Sequence, residues 1–328
     1  MKPETQNKLT LFAENTLAIK KEFAWHDVLT RRLAALLYAQ QGRVIDPAAI
    51  RRCHDLIKQN TGAFSTFRGD MSLCVATLLS FSQNPQALFG ETLKVYDLLK
   101  SVKMRASDFL VVAAYQIAAQ AAPHDYAAVV NRTRAFYDAM KANHFFLTGE
   151  DDYIFAAMLG LSDLDVTAGS ERIERLYTRL KGEFWDKNSV QSLSQVMVLG
   201  DPDDGVADRV LALHDAFKAQ KIKLDKTYTL PILGILALLP VEIDLLVRDI
   251  DEAQKILQAQ KGFGALSVTK QELLLLSAYL IAGEYSQSVK SDVLTATIST
   301  GITNLIIAQQ AALIAAMSAS TAAAAAST

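Results

Sequence analysis

A chain of 328 residues is long enough to bury a sizeable core, as one elongated array or as two domains. Lysine and arginine number 33 against 35 aspartates and glutamates, a net charge of −2, so there is no net positive field to favour general nucleic-acid binding. With 51% hydrophobic residues, 21% charged, 7 prolines and 15 glycines, the chain is neither disordered nor fibrous and reads as globular and helical.

The N-terminus, MKPETQNKLTLFAEN, lacks the uninterrupted apolar stretch of a secretory signal, and a cytoplasmic location is expected. Residues 1–26 read as a leading cap helix with Phe12, Leu17, Ile19 and Trp25 as apolar anchors. Over residues 27–290 two helix types alternate. The amphipathic type recurs as CHDLIK (53–58), VYDLLK (95–100), FYDAMK (136–141), LYTRLK (176–181), LHDAFK (213–218) and a degenerate AQKILQ (253–258). Its penultimate apolar residue is Ile57, Leu99, Met140, Leu180, Phe217 and Leu257, a period of about forty residues. The second type is smaller and more apolar: RLAALLY (32–38), CVATLLS (74–80), VAAYQIA (112–118), FAAMLGL (155–161), LSQVMVL (193–199), LGILALL (233–239) and LSAYLIA (276–282). A column of small residues runs through it, Ala34, Ala76, Ala113, Ala156, Ser194, Gly234 and Ser277, and small residues at a fixed place let stacked helices approach closely. Strand signals are almost absent. The expected fold is therefore all-α: a right-handed, α-solenoid-like array of six or seven antiparallel helix pairs, in the size range of HEAT or armadillo units. Cys53 and Cys74 fall inside apolar helical patterns and are expected to be buried thiols.

Candidates for chemistry have plain structural alternatives. His54 and His214 precede Asp55 and Asp215, but the equivalent positions hold Tyr96, Tyr137 and Tyr177, so the column asks for a ring with a polar tip at a packing boundary. Asp201-Pro202-Asp203-Asp204-Gly205 lacks the closing carboxylate of a calcium loop, since position twelve is Ala212. Glu150, Asp151 and Asp152 are weak metal candidates that suit a helix N-terminus equally well. Ser267-Val268-Thr269-Lys270 matches S-x-x-K without its companion motifs and reads as a helix cap. No G-x-S-x-G, phosphate-binding glycine loop, dinucleotide fingerprint, H-E-x-x-H or C-x-x-C occurs. No catalytic residue and no cofactor is expected, although an enzyme with an unrecognised site between repeats stays an alternative.

One loop column points to partners: Phe64, Phe67 and Arg68, then His144, Phe145 and Phe146, then Phe184 and Trp185, then Phe263. Such residues either line a peptide-binding groove or plug the ends of helix pairs. Beyond position 290 the composition changes: residues 293–328 carry no charge, and 12 of these 36 positions are alanine. On a helical wheel Ile302, Leu305, Ile306 and Leu313 share an apolar face, Ala311, Ala315 and Ala319 form a small-residue ladder, and Asn304, Gln309 and Gln310 oppose entry into hydrocarbon. A long apolar C-terminal helix over 291–328 is expected to dock on the array or to form a homo-oligomer. Membrane contact through residues 293–317 is the alternative.

The segments LTLFAEN (9–15), LAALLYA (33–39), GAFSTFRG (62–69), VYDLLK (95–100), NHFFLTGEDDYIFAA (143–157), LSDLDV (161–166), QKGFG (260–264) and ITNLIIAQQAALIAA (302–316) together resemble the bacterial domain of unknown function 4003 family. The resemblance spans nearly the whole chain. It implies an all-helical protein of Gram-positive bacteria and no reaction, substrate or catalytic residue. The expected function is that of a non-enzymatic scaffold or adaptor for an unknown protein or peptide, with no nucleic acid; a membrane-associated adaptor anchored by the C-terminal helix is an alternative.

Overall fold

In a computed structural model of the protein, residues 2–69, 71–200, 204–224 and 229–288 are described, and they form fourteen α-helices with no strand among them. The chain divides into two compact units. One holds residues 2–21, 35–45 and 172–288, and the other residues 22–34 and 46–171.

Two classes of helix alternate, as the hydrophobic pattern predicts. Helices α2 (Val28–Gln40), α4 (Ser72–Leu79), α6 (Asp108–Gln120), α8 (Tyr153–Leu161), α10 (Lys187–Gly200), α12 (Leu230–Ala237) and α14 (Lys270–Ser288) are buried on most sides, and every described residue of α4 and α12 is buried. A helix apolar all round must lie inside. Helices α1 (Pro3–Glu22), α3 (Pro47–Gln59), α5 (Pro85–Ser101), α7 (Tyr126–Asn143), α9 (Val166–Leu180), α11 (Val206–Ala219) and α13 (Ile243–Ala259) bury one face only. In α3 that face is Ile50, Cys53, His54 and Ile57, spaced one helical turn apart. The penultimate column Ile57, Leu99, Met140, Leu180, Phe217 and Leu257 is buried throughout, as is the small column from Ala34 to Ser277.

The close approach expected of that column is visible at Gly234, where a Cβ would lie 2.9 Å from both Leu193 Cδ1 and Val196 Cγ1 of α10. Both thiols are buried, and desolvation pushes Cys74 up to about 12, which makes it inert at neutral pH. Three of the one-sided helices, α3, α5 and α9, start at side-chain caps. Asp46 Oδ1 accepts from Ala49 N, Asn84 Oδ1 from Ala87 N and Asp165 Oδ1 from Ala168 N, and a proline opens α3 and α5. Arginines close the ends of inner helices. Arg132 of α7 donates to the carbonyls of Gly160, Ser162 and Leu164 after α8, and Arg209 of α11 to those of Leu239 and Val241 after α12.

In the unit that holds both ends of the described chain, α1 and α2 meet α14. Lys8 Nζ lies 2.6 Å from Glu284 Oε2, the ring of Phe12 is 5.3 Å from that of Phe263, and Gln40 Nε2 donates to Tyr279 O at 2.7 Å. A Cβ on Gly283 would collide with the Gln40 amide, so the glycine is what admits Gln40 to α14. The leading helix therefore contacts the last described one, an association that sequence order gives no reason to expect. Helix α1 itself ends at Glu22, and Trp25, expected as an apolar anchor, is 100% exposed in the loop that follows. Among the described residues no helix is long and apolar enough to cross a membrane. Residues 289–328, including Ile302, Leu305, Ile306, Gln309 and Leu313 of the expected C-terminal helix, lie outside the described residues.

Candidate functional site

The aromatic column lies in loops that join a one-sided helix to the next inner helix, though the loop between α5 and α6 has no ring. In most of them one apolar ring turns inward and a neighbour in the same loop turns outward. Between α1 and α2, Phe23 is buried and Trp25 exposed; between α3 and α4, Phe67 is buried and Phe64 exposed. Between α9 and α10, Phe184 is buried and Trp185 is 94% exposed; between α13 and α14, Phe263 is buried and Leu266 exposed. The loop after α7 turns two rings outward, Phe145 and Phe146, packed edge to face at 5.4 Å. Both tryptophans of the chain thus stand in water at loop tips.

The inward rings do packing work. Phe23 meets His54 at 6.1 Å, Phe67 meets Tyr96 at 5.0 Å and Phe184 meets His214 at 5.0 Å, each pair edge-on. The ring column on the one-sided helices is therefore the receptor for the plug of the preceding loop. Phe67, Phe184 and Phe263 cannot reach a partner without local unfolding, which removes them from the partner-binding set expected from sequence. Arg68 is committed to the C-terminus of α3, where it donates to the carbonyls of Lys58 and Thr61 and to Thr61 Oγ1. His144 is half-buried at the C-terminus of α7 and donates its backbone N–H to Met140 O. Phe64, Phe145, Phe146 and Trp185 keep the exposure that docking needs. Trp25 and Leu266 join them, and the spacing of Trp25 after a buried Phe23 is the signal that could have identified it.

The remaining chemical candidates are occupied by structural roles. Asp152 is buried, and its Oδ2 accepts from Gly149 N at 2.9 Å at the start of α8. Among the described residues no group of three or more His, Cys, Asp and Glu is placed to hold a metal ion. Residues 201–203 lie outside the described residues; the neighbouring Asp204 is engaged by Arg172 at 2.6 Å and Arg175 at 3.5 Å, which hold its carboxyl below the usual range. Thr269, rather than Ser267, supplies the α14 cap by accepting from Glu272 N.

His54 is buried beside Phe23 and His26, and its Nδ1 has no hydrogen-bond partner among the described residues. Desolvation first, then the nearby Lys58, His26 and Arg51 charges, lower it to about 4 from the ordinary 6.5. Because the folded value is depressed, the unfolded chain takes up a proton between pH 6.5 and 4 that the folded chain refuses. Stability is then full above pH 6.5 and falls by about 1–3 kcal/mol on acidification to pH 4. Urea midpoints measured across this window should show that loss, and His54→Tyr should flatten it.

A family model described as a protein of unknown function (DUF4003) matches residues 15–311. The uncharacterized protein YeaA of Bacillus subtilis (strain 168) is 24% identical over 335 residues, covering 98% of this chain and 95% of that protein. No solved structure matches. The match begins within α1 and covers every later described helix, and the chain belongs to the DUF4003 family.

Proposed function

We propose that this protein is a helical-repeat interaction protein, without catalytic activity, that presents its outward loop aromatics to a protein or peptide partner. The observation that carries the reading is the pairing of a buried ring with an exposed one in the loops after α1, α3 and α9, and the two exposed rings in the loop after α7. Packing needs only the buried member, so the exposed Trp25, Phe64, Phe146 and Trp185 have no role in the monomer's core. Large exposed aromatics are the residues that dominate binding energy once a partner desolvates them. Lys141 Nζ lies 4.6 Å from the centre of the Phe145 ring, so this tip offers a cation beside two rings. The absence of familiar catalytic motifs and the solenoid-like period support the same reading.

A photo-crosslinking amino acid placed at Phe146 or Trp185 in growing cells should give discrete adducts, and Phe145→Ser should abolish the adduct at position 146. Crosslinking only to lipid, or none at either position, would overturn the reading. The charge-free segment 293–328 motivates a second route to association, with a like segment of another copy. Sedimentation of a chain ending at residue 292 should then show a lower association state than the full chain. Release of the protein from membranes on that truncation would instead assign the segment to lipid.

A further inference from the structure

We propose that the cavity between the ends of α11, α13 and α14 is a binding site for the multiply charged phosphate group of a ligand. The cavity has a volume of about 460 Å³ and lies wholly within one unit. Lys221, Lys223, Lys255 and Lys270 line it, with Asp251 as the one carboxylate among the lining residues. Asp251 is spoken for, since its Oδ2 lies 2.6 Å from Lys255 Nζ. Lys221, Lys223 and Lys270 are left facing the cavity with no ion pair among the described residues, on a protein whose net charge is −2. Three ammonium groups around one cavity repel one another unless an anion joins them.

The backbone adds to the positive field. Thr269 caps α14, so the Lys270 and Gln271 N–H groups belong to its first turn, where donors lack intrahelical acceptors and the helix dipole favours an anion. Lys221 is held at φ 59°, a left-handed position usually given to glycine, by Lys221 N–H donating to Lys218 O and Ile222 N–H donating to Phe217 O. That turn carries the chain from α11 round the cavity and sets Lys221 and Lys223 on its lip. Gln258 and Gln271 supply neutral donors, and Ile222 and Leu274 a small apolar wall. Three cations without an ion pair among the described residues exceed what a single phosphate monoester needs, so the ligand is a di- or triphosphate-bearing small molecule or a phosphate-rich lipid headgroup.

Calorimetric titration of the full chain with inorganic tripolyphosphate, beside co-sedimentation with vesicles of phosphatidylcholine containing cardiolipin, whose headgroup carries two phosphates, tests the site and separates the two sources. Saturable, salt-sensitive tripolyphosphate binding that weakens by about tenfold or more in Lys221→Gln/Lys270→Gln supports a soluble ligand. Vesicle binding lost in that variant, without tripolyphosphate binding, supports a headgroup. Lys103→Gln is the control, because Lys103 shares the backbone conformation of Lys221 at the end of α5 but lines none of this cavity. No binding of either probe at millimolar phosphate, or equal binding by the double variant, overturns the proposal.

Discussion

Replacing Glu284 by alanine is expected to destabilise the protein by about 3 kcal/mol, more than most single substitutions do. Lys8 is almost fully buried in α1, and the Glu284 carboxylate 2.6 Å away is its counter-ion. Removing the carboxylate takes the counter-ion at 2.6 Å from an almost fully buried ammonium group, and the cost is that of a broken buried pair rather than of a lost surface ion pair. The pair sits where α1 meets α14, so the loss should also loosen residues 2–21, read as faster backbone hydrogen exchange there than elsewhere. Lys8→Met/Glu284→Leu should return stability to within about 1 kcal/mol of the starting protein, because two apolar side chains leave no charge to desolvate. A Glu284→Ala loss below about 0.5 kcal/mol, the range of exposed pairs, would contradict a buried junction.

Gly160→Ala should cost about 2–4 kcal/mol, although alanine is the better helix former by about 1 kcal/mol. The α8 residue lies against α7, where a Cβ would stand 2.4 Å from Thr133 Oγ1, 2.8 Å from Thr133 N and 3.0 Å from Thr133 Cα. A side-chain tip can rotate away, but backbone atoms move only if the helix moves. Displacing α7 would also strain the three carbonyl contacts that Arg132 makes at the end of α8. The contrast within the same unit is Gly90 of α5, where a Cβ would meet nothing within 4 Å. Gly90→Ala should therefore stabilise by about 0.5–1 kcal/mol. Thermal unfolding of the two variants side by side separates helix propensity from helix packing; a stabilised Gly160→Ala protein would show that α7 and α8 do not approach so closely.

Local pattern made the helices and their faces legible. The spacing of Ile50, Cys53, His54 and Ile57 marks one buried stripe, and unbroken apolar runs such as 230–237 mark helices that water does not reach. The exchange of His54, Tyr96, Tyr137, Tyr177 and His214 in one column pointed to packing rather than to acid–base chemistry, and His54, Tyr96 and His214 each meet a buried loop ring. The candidate site was only half legible. Phe184 and Trp185 are adjacent, equally apolar and equally suited to a plug or a groove, yet the first is buried and the second stands in water. Periodicity carries no information in an irregular loop, so the direction of each ring is set by the short turn it occupies and by the ring it meets.

Trp25 shows the same gap at the N-terminus, where an apolar residue just beyond the last turn of α1 falls outside the helix whose face it was expected to extend. By itself the sequence determined the all-helical class, the alternation of inner and one-sided helices and the burial of the small column, because each depends on residues within one or two helical turns. The tertiary structure alone decided that α1 lies against α14 and that Lys221, Lys223 and Lys270 surround one cavity. Those neighbours are distant along the chain or come from separate helix ends, and only the packing of whole helices brings them together.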